Sequence, residues 1–265
     1  MTNKDLKIKD KVKKNYTEVV TKEKSGCGCG SSSCCGSENE EAKAKELAAK
    51  MDYSSEELES AFAEANYGLG CGNPGAIAEL KPGETVLDLG CGAGFDVFLA
   101  ARKVGEDGKV IGVDMTAAMI EKAKANAKKN KVDNVEFILG EIEDLPLADN
   151  SVDVIISNCV INLSPAKKKV FSEAKRVLKS GGRLAISDII KAEEFPAAVE
   201  SDLDNYSSCV TGSIVREELL SILKELEFKN IEIERKEHSD EIVKDWVSGI
   251  DINKYIYSAY ISAEK

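Results

Sequence analysis

The stretch Thr85–Gly94, TVLDLGCGAG, constrains this chain more than any other. Val86 and Leu87 open an apolar run, Asp88 falls near its end, and Gly90, Gly92 and Gly94 follow at alternate positions. An apolar run that breaks into glycines predicts a buried strand ending in a tight loop, and Phe95 to Lys103 predicts a helix leaving that loop. Glycine lets a ligand come close to the backbone because no Cβ stands in the way. The spacing is GxGxG, not the GxGxxG that cradles a pyrophosphate.

Around this loop the chain alternates. Strands are predicted at 84–89, 109–113, 135–139, 152–157 and 182–187, with helices at 94–103, 116–130 and 165–178. That order predicts a doubly wound α/β domain with a parallel sheet. A helix at 217–226 and strands at 230–235 and 255–263 extend it to a seven-stranded, mostly parallel sheet finished by an antiparallel edge. Residues 188–213 read as a long connection, and such connections are usually functional. Upstream, residues 1–24 are polar and lysine-rich and could form a short helix, and 25–37 read SGCGCGSSSCCGS. Glycine, serine and cysteine alone cannot bury a core, so this segment is expected to be a mobile arm. Residues 40–50 have helical composition, and Ser54 with Glu57 forms a capping box for a helix ending near Asn66. Tyr67–Pro74 then places three glycines and a proline around Cys71, a shaped loop. The expected organisation is an arm with a cysteine-rich segment over 1–50, a cofactor-binding core over 51–190, and a substrate-covering segment with a closing helix and strands over 191–265.

Asp88 precedes the glycine loop, where a carboxylate repels phosphate and suits a cation. Asp114 ends the next apolar run, about twenty residues on, the distance at which an acidic residue takes ribose hydroxyls. A ligand with a ribose, an ammonium and no phosphate satisfies both, and S-adenosylmethionine is such a ligand. The formal net charge of −11 argues against nucleic acid and against an anionic membrane surface. No apolar run has transmembrane length and the first residues lack a signal segment, so a cytoplasmic protein is expected.

Eight cysteines in such a chain need a role other than a disulfide frame. Ligands of open α/β sheets bind at the carboxyl ends of the strands. Cys91 lies in the glycine loop, where it reads as a small packed residue beside the cofactor. Cys71 precedes the first strand, Cys159 follows the fourth, and Cys209 lies in the long connection after the fifth, so three remote thiols can converge on one rim. Three thiolates make a soft trigonal site. A catalytic zinc with three cysteines fits it, and As(III) is its natural occupant. The single histidine, His238, sits among charged residues and leaves little room for histidine-based acid–base chemistry.

At these residues the chain resembles the arsenite S-adenosylmethionine methyltransferases, over roughly residues 52 to 235. The resemblance rests on LGCGNP (69–74), DLGCGAG (88–94), GVDMT (112–116), SNCVINL (157–163) and the segment around Cys209. It implies a Rossmann-like class I methyltransferase fold and As(III) held by Cys71, Cys159 and Cys209. It also implies a further N-terminal cysteine active in reduction, for which Cys27, Cys29, Cys34 and Cys35 are the candidates. S-adenosylmethionine would contact Asp88, the loop residues Gly90, Cys91, Gly92 and Gly94, and Asp114. Met115 would pack on adenine, Glu141 and Ile142 would reach the adenine edge, and Asn158 would complete the set. The expected activity is methylation of arsenite or its thiol conjugates in arsenic detoxification, with an external, thioredoxin-like or small thiol reductant as partner. The competing enzyme reading, methylation of carbon or oxygen in a small molecule, leaves the three rim cysteines idle.

Overall fold

The computed structural model describes residues 3–22, 46, 48–58, 62, 65–200, 206, 209–244, 246–247 and 249–265. The cysteine-rich segment with Cys27, Cys29, Cys34 and Cys35, most of the helix expected at 40–50 and residues 201–205 lie outside the described residues.

The strands are β1 (Thr85–Leu89), β2 (Lys109–Asp114), β3 (Val135–Leu139), β4 (Val152–Asn158), β5 (Leu178–Lys191), β6 (Ile214–Val215), β7 (Lys229–Arg235) and β8 (Ile256–Glu264). Their order is β3-β2-β1-β4-β5-β8-β7, with β6 paired to β5 off this path. The pairings from β3 through β5 are parallel, and β8 is antiparallel to both β5 and β7. This is the doubly wound, Rossmann-like arrangement. The sheet has eight strands among the described residues, where the sequence reading had seven, because the short β6 adds to it. Two further details differ from the sequence reading. The antiparallel strand is not the edge: β8 inserts between β5 and β7, and β7 forms the edge. Second, β5 continues through the fully buried Ile189 and Ile190 to Lys191, where it pairs with β6, so the connection expected to start at residue 188 begins as strand.

Period-two alternation sends the central strands into two cores, as befits parallel strands covered on both faces. Val86, Val154 and Ile156 enter one core; Leu87, Leu89 and Ile155 enter the other. The first core is covered by α2 (Phe95–Val104) and α3 (Ala117–Asn130), and the second by α4 (Lys167–Val177) and α5 (Arg216–Glu225). Val170, Phe171, Ala174 and Val177 give α4 its buried face at helical spacing. The capping box is formed: the Glu57 N–H donates to Ser54 Oγ at 3.2 Å and the Ser54 N–H to Glu57 Oε2 at 2.9 Å.

Residues 3–22 are a helix, α1, as the sequence allowed, but it is docked on the first core rather than part of a free arm. Ile8, Val12 and Val20 are buried, and Lys9 pairs with Glu141 and Glu143 beyond β3. The apolar stripe and the ion pairs together account for the docking. No described helix is long and apolar enough to cross a membrane.

Candidate active site

The strand order reverses between β1 and β4. From β1 the chain winds outward through β2 and β3, then returns to β4 on the other side, which opens a crevice at the carboxyl ends of these strands. The glycine loop lies in it. The Gly90 and Cys91 N–H groups donate to the Val113 carbonyl at 2.8 and 3.1 Å, which ties the loop to the end of β2. Gly90 has φ +69°, and a Cβ there would stand 2.3 Å from Val160 Cγ2. Both the left-handed backbone and the close approach require glycine. Asp114 organises the rim: Oδ2 accepts the Gly92 N–H at 3.0 Å and Oδ1 accepts the Thr116 N–H at 2.8 Å.

The crevice gathers carboxylates. Asp88 is buried, and burial followed by repulsion from Asp96 and Asp114 pushes its carboxyl well above the usual range. Burial also pushes Asp96 up to about 6, although Tyr53 Oη and Asn158 Nδ2 donate to it at 2.6 and 3.2 Å. Asp114 is raised by burial as well, against the two N–H bonds that favour its charge. Such a floor gains from a cation placed on it.

These residues line a cavity with about 1160 Å³ of empty space, its open mouth included. Asp88, Gly90, Cys91, Gly92, Asp114, Met115, Ile142 and Asn158 all face it. Gly94 does not; it caps α2 with φ +95° beneath the loop. Glu141 departs from its expected place at the adenine edge. Its carboxylate turns out to Lys9 at 2.8 Å, and Glu143 lines the cavity. The sequence reading missed Lys9, Val12 and Tyr16 of α1, which form one wall, and it missed Tyr53 and Asp96, which fix Asn158.

Cys71, Cys159 and Cys209 come together beside this cavity, each buried and with a free thiol. Cys159 and Cys209 have φ of +57° and +60°, an uncommon backbone for residues with a Cβ. The Cys159 N–H donates to the Ser187 carbonyl at 2.8 Å, and Cys209 Sγ donates to the Cys159 carbonyl at 2.9 Å. The Cys71 N–H donates to Asn158 Oδ1 at 3.0 Å. Asn158 thereby links the thiol loop to the carboxylate crevice. Burial, then contact with Cys209 and Cys71, pushes the Cys159 thiol well up. At Cys209 the contact with Cys159 pulls down, but burial and the nearby Asp188 and Cys71 raise it overall. Cys91 stands apart, packed so closely on β2 that a Cβ at Gly112 would meet its sulfur at 2.7 Å.

A second hollow is lined by Tyr16, Val19, Leu69, Cys159, Cys209 and Trp246, and it shares Tyr16, Leu69 and Cys159 with the first. Cys159 therefore sits where the two hollows meet, with Cys209 on the second hollow beside it. Burial pushes the Tyr16 hydroxyl well up, and the neighbouring Cys209 and Cys159 add to that. Asp188, within β5, is a further buried carboxyl, pushed up to about 6 by burial.

A family model described as a methyltransferase domain matches residues 80–237. The chain belongs to the methyltransferase domain family. This methyltransferase is 46% identical over 263 residues to an arsenite methyltransferase of Halobacterium salinarum, an alignment covering 97% of this chain and 66% of the relative. It is 44% identical over 152 residues to an arsenite methyltransferase of Aquipseudomonas alcaligenes, covering 55% of this chain and 43% of the relative. The chain spans about two thirds of the first relative's length and less than half of the second's. The crystal structure of an arsenic(III) S-adenosylmethionine methyltransferase from Chlamydomonas reinhardtii matches with a TM-score of 0.62 at 35% identity, covering 84% of this chain and 73% of that one.

Proposed function

We propose that this chain transfers a methyl group from S-adenosylmethionine to As(III) held by Cys71, Cys159 and Cys209. One observation carries the reading: three buried thiols from three separate loops meet at the edge of a crevice floored by carboxylates. The relatives' names point the same way.

The crevice residues fit S-adenosylmethionine. Asp88 and Asp96 want a cation and would meet the methionine ammonium, and Asp114 presents carboxylate oxygens at the rim for ribose hydroxyls. Met115 and Ile142 supply apolar surface for adenine. When bound, this cofactor supplies a methyl group activated on a sulfonium. Arsenite is the substrate, and its three hydroxyls leave as water as they take up the three thiol protons. The arsenic lone pair then forms the new As–C bond while the methyl–sulfonium bond breaks and its electron pair stays on sulfur. The protein's part is to hold the two centres at about 3–3.5 Å in line and to exclude water. The lone pair carries no proton, so the step needs no general base. His238 fits that, being exposed beside Glu241 on the short helix Ser239–Val243.

Gaining a methyl cation raises arsenic formally to As(V). Two thiols closing to a disulfide return the two electrons, and an external thiol reductant of the thioredoxin or small-thiol class reopens it. The candidates for the additional thiol, Cys27, Cys29, Cys34 and Cys35, lie outside the described residues. Working thiols of this kind require a reducing setting such as the cytoplasm. The division into an arm over 1–50, a core over 51–190 and a covering segment over 191–265 belongs to this reading. Incubation with methyl-labelled S-adenosylmethionine and arsenite tests it. Label recovered on arsenic is the expected result. Label on an organic acceptor instead, or no label on arsenic at all, overturns it.

A further inference from the structure

As(III) needs only three thiolates, because its lone pair fills the fourth corner of its coordination sphere. A fourth donor stands beside the thiols. A carboxylate oxygen of Asp188 and the sulfurs of Cys71 and Cys159 all lie within 4.8 Å of one another. Cys209 adjoins Cys159, with its Sγ 2.9 Å from the Cys159 carbonyl. Asp188 is buried within β5, three residues before its end, and held from behind. Its Oδ1 accepts the Ile189 N–H and Asn162 Nδ2, each at 2.8 Å, while among the described residues Oδ2 accepts only the Asn162 N–H at 3.3 Å. That leaves Oδ2 with lone pairs for another partner. Burial lowers the pKa of the nearby Lys167 ammonium, and attraction to Asp188 and Cys209 acts against that lowering.

Three sulfurs and one carboxylate oxygen are the donor set of a borderline-soft cation with tetrahedral preference. Trigonal As(III) has no use for the oxygen. Zinc–sulfur and zinc–oxygen bonds of about 2.3 and about 2.1 Å put tetrahedral neighbours about 3.6–3.8 Å apart. For Cys71, Cys159 and Asp188, closing the present spacing takes movements on the order of 1 Å, the scale of a thiol rotation; Cys209 lies outside that 4.8 Å group and swings in from its contact with Cys159. We propose that Cys71, Cys159, Cys209 and Asp188 form a tetrahedral site for a thiophilic divalent cation of the zinc and cadmium class, which competes with arsenite for the thiols. The site discriminates by donor count: the divalent cation uses Asp188 and As(III) does not. A cell rich in such cations would thereby slow the proposed methylation. The cation site rests on the placement of the four donors and stands whether or not arsenite is the substrate.

Cadmium ion is the probe. The full-length chain carries Ser at positions 27, 29, 34 and 35 so that only buried thiols compete, and Trp246 serves as reporter. It is the chain's only tryptophan and lines the same hollow as Cys159 and Cys209. Binding is followed by Trp246 fluorescence and by cadmium–thiolate absorption, with Cd²⁺ and arsenite titrated separately and in competition. Competition between the two is expected, with Asp188→Asn weakening Cd²⁺ at least tenfold more than it weakens arsenite. Equal weakening of both ligands, no effect of Asp188→Asn on Cd²⁺, or no Cd²⁺ response at Trp246 overturns the proposal. Should Asp188→Asn fail to fold, X-ray absorption on the cadmium-loaded chain with Asp188 intact decides: three sulfurs and one oxygen support the site, and a first shell without oxygen sinks it. An Asp188-dependent cadmium site in a chain that does not methylate arsenite would refute the proposed function alone.

Discussion

Lys9→Met asks whether α1 is a working wall of the site. The Lys9 ammonium lies 2.8 Å from Glu141 Oε2 and 2.9 Å from Glu143 Oε1. Burial alone would lower its pKa, but the two carboxylates outweigh burial and keep it raised. Methionine keeps the apolar stem and removes the charge. Glu141 is half exposed and can rehydrate, whereas the Glu143 side chain is only 8% exposed and is left with Ser164 Oγ at 2.6 Å. Removing one partner of a buried ion pair costs about 3–5 kcal/mol; with Ser164 still in place the lower end, about 3 kcal/mol, applies. Because α1 can leave without unfolding the sheet, this cost falls on its docking. Its open population should rise on the order of 100-fold, at about 1.4 kcal/mol per factor of ten. Hydrogen exchange at neutral pH reads it directly: amides of α1 should exchange on the order of 100-fold faster, with β1 and β4 unchanged. Unchanged exchange in α1, or an equal loss of protection in β1 and β4, would refute the assignment of Lys9 as the tie that holds this wall.

Cys71→Ser, Cys159→Ser and Cys209→Ser should each abolish arsenite methylation, and Cys91→Ser should keep most of it; a wild-type rate in Cys159→Ser would show that the thiol site is misassigned. Asp114→Ala strips the Gly92 and Thr116 N–H groups of their acceptor, at about 1–3 kcal/mol for each one left buried. It should lower S-adenosylmethionine affinity at least about tenfold and leave arsenite affinity nearly intact by calorimetry, whereas equal loss of both would indicate misfolding. Asp88 and Asp96 hold their protons to higher pH than ordinary carboxyls, Asp96 to about 6, and a protonated carboxyl cannot pair with an ammonium. Affinity for S-adenosylmethionine should therefore climb as pH rises through the range of Asp96, about 6, with protons released on binding there; a flat calorimetric profile from about pH 5 to about 8 contradicts this.

The glycine loop, the first four strands and the capping box were legible because each is a local pattern: period two, alternate glycines, a serine three residues before a glutamate. The meeting of the three thiols was legible for a different reason. Cysteines placed just past strand ends must reach the same rim of a parallel sheet, whatever the packing details. Sheet order beyond β5 was not legible. β8 pairs with β5 across a long stretch of chain, and nothing local distinguishes an inserted strand from an edge strand. α1 was hidden by its lysines, which made residues 1–24 look like a solvated helix. Its signal was the recurrence of Ile8, Val12, Tyr16 and Val20 every four residues. Glu141 was misplaced by one turn of chain, since spacing alone does not tell which of two nearby glutamates faces the cavity and which meets a cation from another element. Asp188 escaped notice because it was taken as the first residue of a loop, although the buried Ile189 and Ile190 carry the strand past it.

Arsenic-edge X-ray absorption on the arsenite-loaded protein bears most directly on the claim that three thiols from three loops converge on one arsenic atom. Three sulfur neighbours and no oxygen should surround arsenic in the intact chain, and two sulfurs in Cys159→Ser. An oxygen in the first shell of the intact chain, or a sulfur count that Cys159→Ser leaves unchanged, would contradict it.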